Sequence, residues 1–190
     1  TNLVLEYFEG PQDSRISFSY VDVTPVAPTS ITGTNTICSG TSTVLTANGT
    51  TADGVNTFYQ WGTGTVGSNI IAGATSSTYT TPNLTSTTTY WVRVTSPGTC
   101  VFNTAAQTRT VTVSGTPSAP TGISGTTSIC SGSGTTLTAT GGSGTTYQWG
   151  TGAVGDNIIS GATTASLATG NLTSNTTFWV RRISGLCFSN

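Results

Sequence analysis

The chain has 190 residues, room for two domains of about 90 residues or one larger one, and only 6% of them are charged: five Arg and six acids, with no Lys, His or Met. A net charge of -1 without a basic cluster excludes the electrostatic footprint of nucleic-acid binding and a polybasic membrane-surface patch, and the lack of His excludes Ser-His-Asp, Cys-His and His-metal chemistry. No apolar run approaches the roughly 20 residues that span a bilayer, so no direct membrane insertion is expected, while four Trp, six Tyr and six Phe argue for folded β-structure over disorder.

Residues 1–24 read as the C-terminal part of an upstream β domain, because 16–23 alternate and lead into Pro25 much as Thr110-Val111-Thr112-Val113 leads into Pro117. From there, short β-branched or alternating runs separated by Gly, Asn, Ser and Pro predict strands at 30–37, 43–47, 57–61, 69–72, 77–81, 87–95 and 107–113. The text then repeats. Residues 27–40 return as 119–132 at an offset of 92, and Tyr59-Gln60-Trp61-Gly62 returns as Tyr147-Gln148-Trp149-Gly150 at an offset of 88, so four residues are missing from a loop. Trp91-Val92-Arg93 returns as Trp179-Val180-Arg181, and Cys100 as Cys187 after one further deletion.

These observations predict an all-β chain of tandem immunoglobulin-like β-sandwich repeats, one at 25–116 and one at 117–190, the second lacking its last strand. Trp61 and Trp149 take the place of the buried core Trp, and Tyr90 and Phe178 that of the corner aromatic. Without a seventh strand, 117–190 alone is expected to be unstable unless the continuation of the chain, or a strand from another chain, completes its sheet. The linkers 24–28 and 116–120 are short and contain Pro, which restricts bending.

The combination Ile37-Cys38-Ser39-Gly40, Val44-Leu45-Thr46, Tyr59-Gln60-Trp61, Thr88-Thr89-Tyr90-Trp91-Val92 and Gly98-Thr99-Cys100 resembles the immunoglobulin-like repeats of Bacteroidetes secreted proteins, among them gliding-motility adhesins of the SprB type exported by the type IX system. The resemblance covers roughly 25–190. It implies an extracellular, cell-surface location and a stalk or adhesin role.

Two cysteines per copy, with 61 residues between them in one and 56 in the other, fit disulfides formed in an oxidising place, and all four are expected to be oxidised. Their pairing stays open. In a sandwich, the turn holding Cys38 and the turn holding Cys100 fall at opposite ends, about 20 Å or more apart, whereas a bridge needs Cα atoms within about 7 Å. Either the strands are shifted and the pairs are Cys38–Cys100 and Cys130–Cys187, the pairing favoured here, or Cys38 meets Cys187 of the next copy, or, least favoured, the thiols are free.

If Tyr90 and Val92 point inward, alternation turns Trp91 and Arg93 outward beside Gln60, and Trp179 and Arg181 outward beside Gln148. An exposed Trp with polar neighbours is the one candidate for ligand binding, by stacking on a sugar ring. The competing and favoured reading is an Arg covering a Trp on a solvent-facing sheet. Glu6 and Glu9 do not form the two flanking acids that glycoside hydrolysis needs. Asp13, Asp22, Asp53 and Asp156 lack calcium-loop spacing. The sequons at Asn48, Asn83, Asn171 and Asn175 carry little meaning in a bacterial protein.

No catalysis, cofactor or metal is therefore expected. The partners expected are neighbouring repeats of the same chain, with surface polysaccharide or other cell-surface proteins beyond them. The leading expectation is a structural stalk; its rivals are a carbohydrate-binding module and an accessory domain of a secreted enzyme.

Overall fold

The structure is a computed structural model describing residues 2–9, 14–21, 25–50, 52, 57–96 and 102–189, with side chains described from residue 25 onward. Its regular structure is entirely β. Near the N-terminus, β1 (Asn2–Glu9) and β2 (Ser14–Val21) form an antiparallel hairpin in which Glu9 opposes Ser14.

The first copy supplies two sheets. One has the order β3-β5-β7, from β3 (Ser30–Thr32), β5 (Val44–Asn48) and β7 (Thr78–Thr80). The other has the order β4-β9-β8-β6, from β4 (Thr36–Cys38), β6 (Phe58–Thr63), β8 (Thr88–Thr95) and β9 (Gln107–Ser114). Alternation places Leu45 and Ala47 of β5, Tyr59 and Trp61 of β6, and Val92 and Val94 of β8 out of solvent, as a strand with one core-facing side requires. Trp61 stacks on Tyr79 with ring centroids 5.9 Å apart, and Tyr79 meets Tyr90 at 5.8 Å. The Trp61 indole donates from Nε1 to the Ser76 carbonyl at 2.9 Å, so the polar edge of the ring is satisfied despite burial.

The strand expected at 30–37 is two strands. β3 pairs antiparallel with β5, and β4 pairs parallel with β9, Ile37 opposite Val113. Gly33, with φ 134°, lies between them. At the same place in the second copy, Gly125 has φ 139°, and a Cβ there would come within 2.5 Å of the Thr136 carbonyl. The backbone at the end of this first strand thus takes a conformation that favours glycine in both copies.

In the second copy, β10 (Gly122–Ser124), β11 (Thr136–Thr140) and β13 (Ser166–Ala168) form one sheet. The other contains β12 (Thr146–Thr151), β14 (Phe178–Ser184) and β15 (Cys187–Phe188). Its core is Leu137, Ala139, Trp149 and Leu167, with Tyr147, Ile159, Phe178 and Val180 packed against it. Trp149 Nε1 donates to the Thr164 carbonyl at 2.9 Å. Residues 126–130, the counterparts of 34–38, carry no strand.

The chain divides into two compact units, Thr1–Thr32 with Leu45–Tyr79 and Tyr90–Arg109, and Gly33–Val44 with Thr80–Thr89 and Thr110–Asn190. The second unit therefore contains residues of both copies. Within it, the 116–120 linker is seated on the second copy. The Ser118 N–H donates to Ser143 Oγ at 2.9 Å, the Ser143 N–H donates to the Ser118 carbonyl at 3.1 Å, and Pro117 is buried. In the first unit residues 25–28 are held likewise, with Thr50 Oγ1 donating to the Val26 carbonyl and Pro28 fully buried.

Candidate functional site

Each copy places one Trp on the outer face of its second sheet, and each is covered. Trp91 of β8 lies opposite Gly62 of β6, and a Cβ on that glycine would stand 2.2 Å from Trp91 Cζ2. Only a residue without a side chain leaves room for the ring at that distance. Beyond β6 the chain turns over the indole. Thr63 N–H donates to the Asn69 carbonyl at 3.2 Å, Ile71 N–H donates to the Trp61 carbonyl at 2.9 Å, and Trp91 Nε1 donates to the Ser68 carbonyl at 3.1 Å. Asn69 takes φ 46° to make this turn, a conformation Asn tolerates better than most residues.

The second copy repeats the arrangement. Gly150 lies opposite Trp179, whose Nε1 donates to the Asp156 carbonyl at 3.0 Å, and Asn157 has φ 41°. Asp156, considered above among the acids, thus contributes through its backbone. The strand expected at 69–72 is this covering loop, joined to β6 by the single bridge Gly62–Ile70.

Arg93 and Arg181 close the remaining side. Arg93 Cζ lies 5.3 Å from the Trp91 ring centroid, and its Nε donates to Gln60 Oε1 at 2.8 Å. Arg181 lies 5.4 Å from Trp179 and 4.0 Å from Phe188, donating to Gln148 Oε1 at 2.7 Å. Trp91 is 0% exposed and Trp179 4%. Outward alternation thus gives the face correctly but not the exposure, because a loop covers that face. Neither indole presents a ring to a sugar. The signal that marks this is the glycine in Tyr-Gln-Trp-Gly, directly opposite the Trp.

The cysteines give the second candidate. Cys38, at the end of β4, is bonded to Cys187 of β15 with Cα atoms 5.5 Å apart and a sequence separation of 149. The pairing favoured from sequence, with Cys130–Cys187 as one bond, is thereby corrected to the alternative that joins the two copies. Cys130 is exposed with a free thiol, which also corrects the expectation that it is oxidised in this chain. The geometric reason is the one that made an intra-copy bridge difficult: Cys130 and Cys187 occupy a turn before the second strand and a hairpin after the sixth. Cys100 lies outside the described residues, as do Asp13, Asp22 and Asp53 and the side chains of Glu6 and Glu9.

Residues 117–190 match the family model of an Ig-like domain described as CHU_C associated. The fold is immunoglobulin-like. Residues 27–115 match the model of a domain of unknown function, DUF8696. Among solved structures, the FN1-FN3 domains of chicken CNTN1 are 17% identical, with 88% of this chain and 64% of that chain covered and a TM-score of 0.42. The chain therefore spans less than two thirds of that relative's length. No curated protein is significantly similar in sequence. The match of the immunoglobulin-like second copy, together with a structural disulfide, fits a secreted protein.

Proposed function

We propose that this chain is a segment of the extracellular stalk of a long bacterial surface adhesin, of the gliding-motility kind exported by the type IX system. Its repeats hold a distal adhesive region away from the cell. They catalyse nothing and take up no cofactor. The observation that carries this reading is the Cys38–Cys187 bond, a covalent tie between copies that a stalk needs and a freely rotating binding module does not. The hydrogen-bonded, Pro-containing linkers support it, since a linker fixed to its domain transmits direction.

The immediate partners in this reading are neighbouring repeats of the same chain, and polysaccharide or other cell-surface proteins meet the distal region. The carbohydrate-binding alternative loses its main support, because Trp91 and Trp179 are occupied by packing. Deleting residues 25–190 from the full-length protein tests the proposal by electron microscopy of the producing cells. Surface projections should shorten while the protein remains exported. Projections of unchanged length, or a protein released into the medium with no cell-bound pool, overturn it.

A further inference from the structure

The turn that follows Cys130 is the same as the one that follows the disulfide-bonded Cys38. Both follow Ile and precede Ser-Gly in sequence. The glycine two positions on has φ 83° in one copy and 85° in the other. Gly40 N–H donates to the Leu84 carbonyl at 2.8 Å, and Gly132 N–H donates to the Leu172 carbonyl at 2.8 Å. Thr41 N–H donates to the Cys38 carbonyl at 3.1 Å, and Ser133 N–H donates to the Cys130 carbonyl at 3.0 Å. Isolated bridges join Thr41 to Leu84 and Ser133 to Leu172. The turn after the cysteine is therefore built alike in both copies.

What differs is the strand that ends at Cys38, absent before Cys130, and the bonding of the two thiols. Cys38 is bonded to Cys187, which is 1% exposed, whereas Cys130 is free and lines an open cleft of about 640 Å³ with Ile123, Ile129, Leu137, Leu172 and Phe178. Leu137 belongs to the core, Ile129, Leu172 and Phe178 are half-buried and Ile123 is exposed, so the apolar rim beside the free thiol is partly open to solvent. Ile123 is 43% exposed there.

We propose that Cys130 is the attachment point for a further repeat of this same kind, bonded to that repeat's counterpart of Cys187. This deepens the stalk reading and rests on it only for the existence of a following repeat. Each copy would then be tied to the next by the bond that ties copy one to copy two, so that the covalent links overlap along the array. The reaction needs a disulfide oxidant such as oxidised glutathione. The Cys130 thiolate attacks one sulfur and expels one glutathione thiolate; the incoming repeat's thiolate then attacks Cys130 sulfur in the mixed disulfide and expels the second. The two protons lost by the cysteines end on the two glutathiones, and the electron pair reduces the oxidant.

The test is the full chain extended after Asn190 by a second copy of residues 104–190. The extension is in register, because Asn103 and Asn190 each stand three positions beyond their cysteine. After refolding in a glutathione buffer, non-reducing digestion and mass spectrometry should find Cys38 joined to Cys187 and Cys130 joined to the appended counterpart of Cys187. Native maleimide labelling of Cys130, complete in the 190-residue chain, should fall to background. Introducing Cys130→Ser should expose the appended cysteine to label. Three results overturn the proposal: Cys130 still labelled while the Cys38–Cys187 bond is present, Cys130 bonded to Cys100, or the appended cysteine protected in the Cys130→Ser chain. Failure of the stalk reading would show instead in the projection lengths on cells.

Discussion

Tyr79 and Tyr90 distinguish the first copy, since the equivalent positions hold Leu167 and Phe178. Burial raises the pKa of both phenols above the ordinary value of 10.0, and for Tyr90 the neighbouring Tyr79 adds to the rise. An acid whose folded-state pKa is raised binds its proton more tightly when folded, so below pH 10 both states are protonated and stability does not change. Above pH 10 the unfolded chain ionises first, and stability falls until the folded-state pKa is passed. The urea midpoint of the first unfolding transition should therefore hold between pH 8 and 9 and drop between pH 10 and 11. In a Tyr79→Leu, Tyr90→Phe chain the drop should shrink towards nothing; an unchanged drop would rule out these phenols as its source.

The loop over the outer Trp is the element that decides whether the sheet face is a binding surface or a second small core. Trp91 is held by Gly62 beneath, Ser68 at its polar edge and Arg93 at its side. Removing a buried Trp of this kind costs about 3–5 kcal/mol, so Trp91→Ala should lower the denaturation midpoint sharply. A purely exposed stacking residue would change it by less than about 0.5 kcal/mol, and that result in urea titration would restore the sugar-binding reading. Much of this element was legible. Alternation put Trp91 beside Arg93 and Gln60 on the outer face, and the pairing of Arg with Trp was the favoured expectation. The covering loop was not legible, because Asn69-Ile70-Ile71 has the composition of a strand and becomes a loop only through the positive φ of Asn69 and its hydrogen bond to Thr63.

At the scale of the whole molecule, the disulfide changes how the chain bears tension. With a separation of 149 residues between Cys38 and Cys187, and about 3.5 Å of contour per extended residue, on the order of 500 Å of chain lies inside the closed loop. Pulled from its ends in an optical trap, the oxidised chain should extend only by the residues outside that loop. Adding a reductant should release the enclosed length as the copies unfold. Release of the full length without reductant would mean that the bond is absent in solution. In the chain-entropy account the same bond, closing so long a loop, stabilises the folded state by about 5 kcal/mol through the restricted unfolded chain.

Period and turn residues determined by themselves that this chain is all-β and immunoglobulin-like, because strand alternation and buried aromatics are local properties written every second residue. The cores at Trp61 and Trp149 followed from the same information. Tertiary structure alone decided which cysteines bond and whether the outer Trp residues meet solvent. Both depend on distances between segments far apart in sequence: Cys38 finds Cys187 across 149 positions, and Trp91 is capped by a carbonyl 23 positions away. Composition and spacing carry no record of which distant turn arrives at a given point, and packing does.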